Sequence, residues 1–144
     1  MLRGRFGDTT TAPYMEAMAS FPRLGLRGPV SFLIDTGADA TVMMPADAKK
    51  LGVDYRDLRN PVTSTGIGGN ADGFEEMCVL SFADRSYVYS YLLKTMEISA
   101  PTRTNLRFPS LLGRDVLNQW RFVLDHTRHV VSGAPRRWDQ RQRL

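Results

Sequence analysis

Short runs of apolar, β-branched and aromatic residues alternate along this chain with clusters of glycine, proline and polar residues, a pattern that predicts strands rather than long helices. Tyr14–Phe21 reads as one strand, RLGLRG after it as a turn-rich link, and Val30–Ile34 as a second strand that ends at Asp35. Thr41–Met44 predicts a third, short strand. PADAKKLG, residues 45–52, opens on proline and closes on glycine, which predicts a helix of about two turns. Asn60–Gly73 (NPVTSTGIGGNADG) reads as a glycine-rich loop or hairpin. Strands resume at Glu76–Phe82 and Tyr87–Leu93 across the polar turn ADRS. SLLGRDVLNQW predicts a second short helix from Gly113 or Arg114, and RFVLD with HVV a closing hairpin. The sum is a mainly β chain with two short helices.

At 144 residues with 42% hydrophobic content, one domain is expected, large enough to fold without disulfide or structural metal. The single cysteine, Cys78, has no partner in the chain and reads as a small buried hydrophobe in a reducing compartment. His126 and His129 lack the companions of a zinc site, so no metal is expected. The N-terminus has no apolar signal core, and no run approaches the ~18 apolar residues of a membrane span, which makes a cytoplasmic protein the expectation. The net charge of +4 leans on Arg136, Arg137, Arg141 and Arg143. That tail reads as solvated rather than as a nucleic-acid contact. The expected division is a flexible N-terminal segment 1–13, a folded domain 14–132, and a basic, weakly ordered tail 133–144.

Candidate chemistry begins at Asp35 in FLIDTGADATVM. The continuous apolar run Phe32–Ile34 predicts a strand buried on both faces that delivers a carboxylate to its end. Thr36 can offer a hydroxyl and an amide, and Gly37 allows a tight turn with backbone donors close to the acid. TGIGG, residues 65–69, combines glycines with an apolar Ile67, the composition of a hairpin that can close over an extended ligand. LLGRD places Gly113 where a helix can pack closely, and Arg114 where a buried guanidinium can hold a carboxylate in a bidentate pair.

The order of hydrophobic run, DTGA, GIGG and LLGRD resembles the retropepsin-like aspartic peptidases, over about Tyr14 to Val131. That resemblance implies a closed, β-barrel-like acid protease fold with one lobe per chain. It implies an aspartic endopeptidase needing no cofactor, active as a homodimer on polypeptide substrates. DTG occurs once, so the second catalytic acid would be Asp35 of a second copy, the two sharing one proton to activate water. By the same resemblance, Thr36 ties the two active-site loops together. Gly37 and Asp39 contact substrate main chain, with Ala38 between them. Ile67, Gly68 and Gly69 form the tip of a flap over the substrate, and Arg114 pairs with Asp39 beneath the site. Ala38 stands where pepsin-like enzymes carry a hydroxyl that can donate to the catalytic acid, which implies a less acidic pH optimum.

GIGGNA, residues 66–71, formally fits a dinucleotide-binding fingerprint but lacks the preceding strand and following helix. No serine sits in a GxSxG elbow. The alternative of another class is a non-catalytic peptide-binding or dimerisation module of the same fold, since fold does not prove chemistry.

Overall fold

A computed structural model describes residues 1–66 and 68–144. The strands are β1 Leu2–Arg3, β2 Arg5–Phe6, β3 Pro13–Phe21, β4 Leu26–Ile34, β5 Val42–Met43, β6 Asn60–Gly66, β7 Gly69–Ala83, β8 Tyr87–Ser99, β9 Leu111–Leu112, β10 Trp120–Asp125, β11 Val130–Pro135 and β12 Gln140–Arg143. The helices are α1 Pro45–Leu51 and α2 Arg114–Leu117. No helix among the described residues is long and apolar enough to cross a membrane.

β3 and β4 show why the chain prefers sheet. Their apolar residues recur every second position, so one face of the pair buries Met15, Ala17, Ala19 and Phe21 beside Val30, Phe32 and Ile34. The two strands pair antiparallel from Tyr14↔Leu33 to Phe21↔Leu26, across a turn closed by Gly25 at φ 65. The run Phe32–Ile34 is not buried on both faces, as its continuity suggests. Phe32 and Ile34 enter the core while Leu33, pointing the other way, stays half-buried.

α1 forms where PADAKKLG predicts it, with Pro45 in its first turn and Gly52 at φ 89 donating its amide to Ala48 and Lys49. β7 and β8 run well beyond the predicted Glu76–Phe82 and Tyr87–Leu93. Gly73↔Ser99 through Glu76↔Met96 are added to the ladder, with a register shift before Cys78. Met96 and Ile98 are buried there at 3% and 0% exposure, and the shift puts them out of step with the buried Tyr89 and Tyr91, which breaks the alternation along the sequence.

The pairings return on themselves. β8 pairs β5, β5 pairs β9, β9 pairs β4, β4 pairs β3, β3 pairs β7, and β7 pairs β8 again. Such a cycle closes the sheet on itself around the core, although β9 covers the outer edge of β4 only at Leu33 and Ile34. Phe32, Met43, Leu80, Phe82, Tyr91, Ile98 and Leu112 are at most 1% exposed within it.

The chain ends, expected to be flexible over 1–13 and weakly ordered over 133–144, carry strands. Segment 1–13 holds β1 and β2, which pair with β11 and β3, and Leu2 is 1% exposed. The apolar Leu2 supplies a burial that composition did not advertise. The basic tail likewise carries β12, paired antiparallel with β8. Arg141 lies over the rings of Tyr87 and Trp138, 4.5 and 4.7 Å from their centroids, and the Tyr91 hydroxyl donates to the Arg137 carbonyl at 2.9 Å. The Arg141 cation thus sits between two aromatic faces within cation–π distance.

Candidate active site

Asp35 follows β4 directly, and its amide donates to the Leu112 carbonyl at 3.0 Å, carrying the β4–β9 ladder one residue further. The chain then turns sharply. Ala38 donates its amide to the Asp35 carbonyl at 3.2 Å, and the Gly37 amide reaches the Asp35 Oδ1 at 2.9 Å. In this local turn the acid is held by a backbone donor two residues on, and a Cβ on Gly37 would crowd the same carboxylate oxygen at 3.2 Å. Asp35 and Ala38 are half-buried, while Thr36, Gly37, Asp39 and Ala40 are exposed.

Behind this loop stands the segment Gly113–Asp115. A Cβ on Gly113 would lie 2.5 and 2.6 Å from the carbonyl carbon and oxygen of Ala40, so only glycine admits this approach. The Arg114 amide donates to the Ala38 carbonyl at 2.9 Å. Its guanidinium does pair with Asp39, through Nη2, but not as a buried bidentate pair. Nη1 donates instead to the Thr36 carbonyl at 2.6 Å, and the side chains of Arg114 and Asp39 are 38% and 91% exposed. Anchored by its own amide to the loop, Arg114 lies along the loop surface, where its fork bridges two residues rather than gripping one.

Asp115 was not foreseen as part of this arrangement. Its carboxylate accepts the Thr41 hydroxyl at 2.7 Å, the Thr41 amide at 3.0 Å and the Val116 amide at 2.9 Å. The Thr41 oxygen in turn accepts the Gly113 amide at 3.1 Å. Thr41 is 1% exposed, so this network replaces water for every polar atom it withdraws. The only hint in the sequence is an acid at the first turn of a predicted helix. Ser110 plays a parallel part, donating to Asp47 of α1 at 2.6 Å and accepting the Met44 amide at 2.9 Å.

The glycine-rich segment is a hairpin, β6 and β7 pairing from Asn60↔Glu75 to Gly66↔Gly69. Gly69 has φ 104, which makes glycine the residue for that turn position. Gly68 and Gly69 are exposed; Ile67, expected at the flap tip, lies outside the described residues. On one face of the arm, Thr63 donates to Asp72 at 3.0 Å and Thr65 to Asn70 at 2.9 Å. On the other, Ser64 donates to the Glu97 carboxylate at 3.0 Å. The structure thus brings Asp35, Thr36, Ala38, Asp39, Gly113 and Arg114 into one bonded unit. Among the described residues no hydrogen bond joins Gly68 or Gly69 to that unit.

Residues 24–83, from the turn before β4 to the end of β7, match the sequence family described as aspartyl protease. No curated protein matches the chain. Among solved structures, a retropepsin-like aspartic protease from Rickettsia conorii aligns with 91% of this chain and 86% of its own, at 20% identity and a TM-score of 0.50. The chain therefore has the fold of the retropepsin-like aspartic proteases and resembles that family in sequence through the stretch that holds Asp35 and the β6–β7 hairpin.

Proposed function

We propose that the protein is an aspartic endopeptidase whose site is completed by two copies of the chain, each contributing Asp35. One observation carries this reading. A lone Asp-Thr-Gly acid stands at a strand end on an exposed loop, one oxygen fixed by the Gly37 amide, the whole loop braced from behind by Arg114. Such rigidity is what a general base needs, and the exposure leaves room for a two-fold related copy.

In this mechanism the ionised member of the Asp35 pair takes a proton from a water held between the two acids. The protonated member donates to the scissile carbonyl oxygen as the water oxygen attacks the carbonyl carbon. The tetrahedral intermediate collapses as the C–N bond breaks: the leaving amine takes a proton from the pair and a hydroxyl of the gem-diol gives one back as the new carboxyl group forms, so the pair again shares one proton. Thr36, exposed at the loop surface, faces the partner loop and holds the pair in register. Gly37 and Asp39 bind substrate main chain on either side of Ala38. The hairpin tip at Ile67, Gly68 and Gly69 covers an extended peptide and adds backbone hydrogen bonds. A cytoplasmic homodimer acting on polypeptides is the setting proposed.

The test is cleavage of a diverse peptide mixture by wild type and Asp35→Asn, with sedimentation across protein concentration. Activity should vanish in the variant and rise with the dimer fraction in the wild type. Cleavage by a strict monomer sinks the shared site, and a dimer that binds peptides without cutting them makes the protein a binding module of the same fold.

A further inference from the structure

One transverse row of residues crosses the sheet beneath Asp35: Leu33, Leu111, Val42 and Glu97 stand in register on β4, β9, β5 and β8, and all four are half-buried. The next residue on each strand, Ile34, Leu112, Met43 and Ile98, is buried, Ile34 at 7% and the other three at 0% exposure. Side chains alternate across a strand, so these four point into the core and the row points away from it. Leu33 and Asp35 are two residues apart on a continuous ladder and so share that outer face. The surface that presents the carboxylate of Asp35 is therefore floored by Leu33, Leu111 and Val42, and ends in an acid.

Glu97 is held there by a local arrangement. Gly73 on β7 has no side chain, and a Cβ at that position would lie 2.9 Å from Glu97 Oε1 and 3.1 Å from its Cγ. The carboxylate occupies the vacated space and accepts the Ser64 hydroxyl on the hairpin arm. Among the described residues no lysine, arginine or histidine nitrogen lies within 4 Å of it. A half-buried carboxylate with one neutral donor retains capacity for a cationic partner.

Resting on the peptidase reading above, we propose that Glu97, with Ser64, forms an acidic subsite of the substrate channel that selects peptides carrying a lysine or arginine near the scissile bond. Glu97 stands three strands from β4, roughly 14 Å at about 4.8 Å per strand, a span an extended peptide covers in about four residues. The two-fold pair of chains supplies one such subsite on each side of the bond, so the preference falls at two positions, one before and one after it.

The experiment uses matched peptides in which each of the four positions on either side of a cleaved bond is lysine, leucine or glutamate. These are assayed for kcat/KM with wild type and Glu97→Gln, and for binding, as fluorescein-labelled peptides, to Asp35→Asn and to Asp35→Asn/Glu97→Gln. Wild type should favour lysine over glutamate by about tenfold at one position on each side, and Glu97→Gln should erase most of that ratio. The binding ratio should follow the same pattern. Equal treatment of lysine and glutamate in both assays, or a ratio that survives Glu97→Gln, overturns the subsite. Absence of cleavage with a Glu97-dependent lysine preference in binding keeps the subsite and removes the peptidase. Melting temperatures of the variants separate loss of the Ser64 contact from loss of recognition.

Discussion

Arg114 donates through Nη1 to the Thr36 carbonyl at 2.6 Å, so the residue after the candidate acid is tied to the start of α2. The same fork reaches Asp39 with its other nitrogen, and the two acceptors belong to opposite arms of one loop. A lysine ammonium can serve one arm at a time but cannot span both planes of approach. Arg114→Lys should lower kcat/KM by about tenfold or more, since a charge-assisted bond at the loop is lost. Because both side chains are exposed to solvent, the melting temperature should move little. A variant that kept full activity would show that the bridge does not hold the loop in its working geometry.

Asp115 and Thr41 make the buried counterpart of that exposed bridge. Removing the carboxylate strands a Thr41 hydroxyl and amide that are 1% exposed. Asp115→Ala should cost about 2–4 kcal/mol in urea unfolding, because buried donors lose their acceptor with no water to replace it. Combined with Thr41→Val, the losses should add to less than their sum, the coupling expected of partners in one network. Full additivity would separate them.

Gly113→Ala tests the close approach between α2 and the loop. The new methyl meets the backbone of Ala40, which cannot rotate away as a side chain would. A cost of about 1–3 kcal/mol is expected from the forced shift. Peptidase activity should fall with it, because Ala40 and Asp35 lie on the same loop. Gly66→Ala, where nothing lies within 4 Å of the added carbon, is the stability control and should leave the unfolding midpoint in place.

On the proposed peptidase reading, the pH profile of cleavage should carry the mark of Ala38. Alanine has no hydroxyl to donate to the neighbouring acid, and a donor favours the ionised form of a carboxylate. In Ala38→Ser the ionised form would persist to lower pH, so the acid limb of the kcat/KM profile should move to lower pH. An unmoved limb would exclude a hydroxyl at this position as a tuning element.

Cys78 is 0% exposed, and burial pushes its thiol up to about 12 against a weaker opposing hydrogen bond from the Ser20 backbone. The thiolate is the reactive form, so its population at pH 8 is very small. A chromogenic disulfide reagent should titrate no thiol in the native protein and one per chain in denaturant. Rapid native reaction would mean that the strands around Cys78 open readily.

Which of these features could be read from the chain alone follows from the range of the interactions behind them. Tyr14–Phe21 announces its strand by alternation, PADAKKLG its helix by a proline and a glycine at the ends, and LLGRD its close packing by Gly113. All three are local signals, complete within a few residues. The paired ends of the chain, in contrast, depend on Leu2 and Gln140–Arg143 meeting β11 and β8, which no short window of sequence contains.

The candidate site divides in the same way. The order of Asp35-Thr36-Gly37, the glycine-rich hairpin and Gly113-Arg114 was legible because each motif is a contiguous run with its own chemistry. The pairing of Arg114 with Asp39 came from resemblance, but its split between Asp39 and Thr36 emerged only in three dimensions, because α2 docks through backbone hydrogen bonds that also place the side chain. Asp115 was invisible as a partner of Thr41, 74 residues away. Glu97 was indistinguishable from any surface acid until strand register set it beside Val42 on the face of Asp35. Sequence by itself determined the local turns, the acid and the alternation that makes sheet. Tertiary structure decided which face each side chain joins, because register is fixed by long-range pairing and a slip of one residue would exchange the core face for the half-buried outer one.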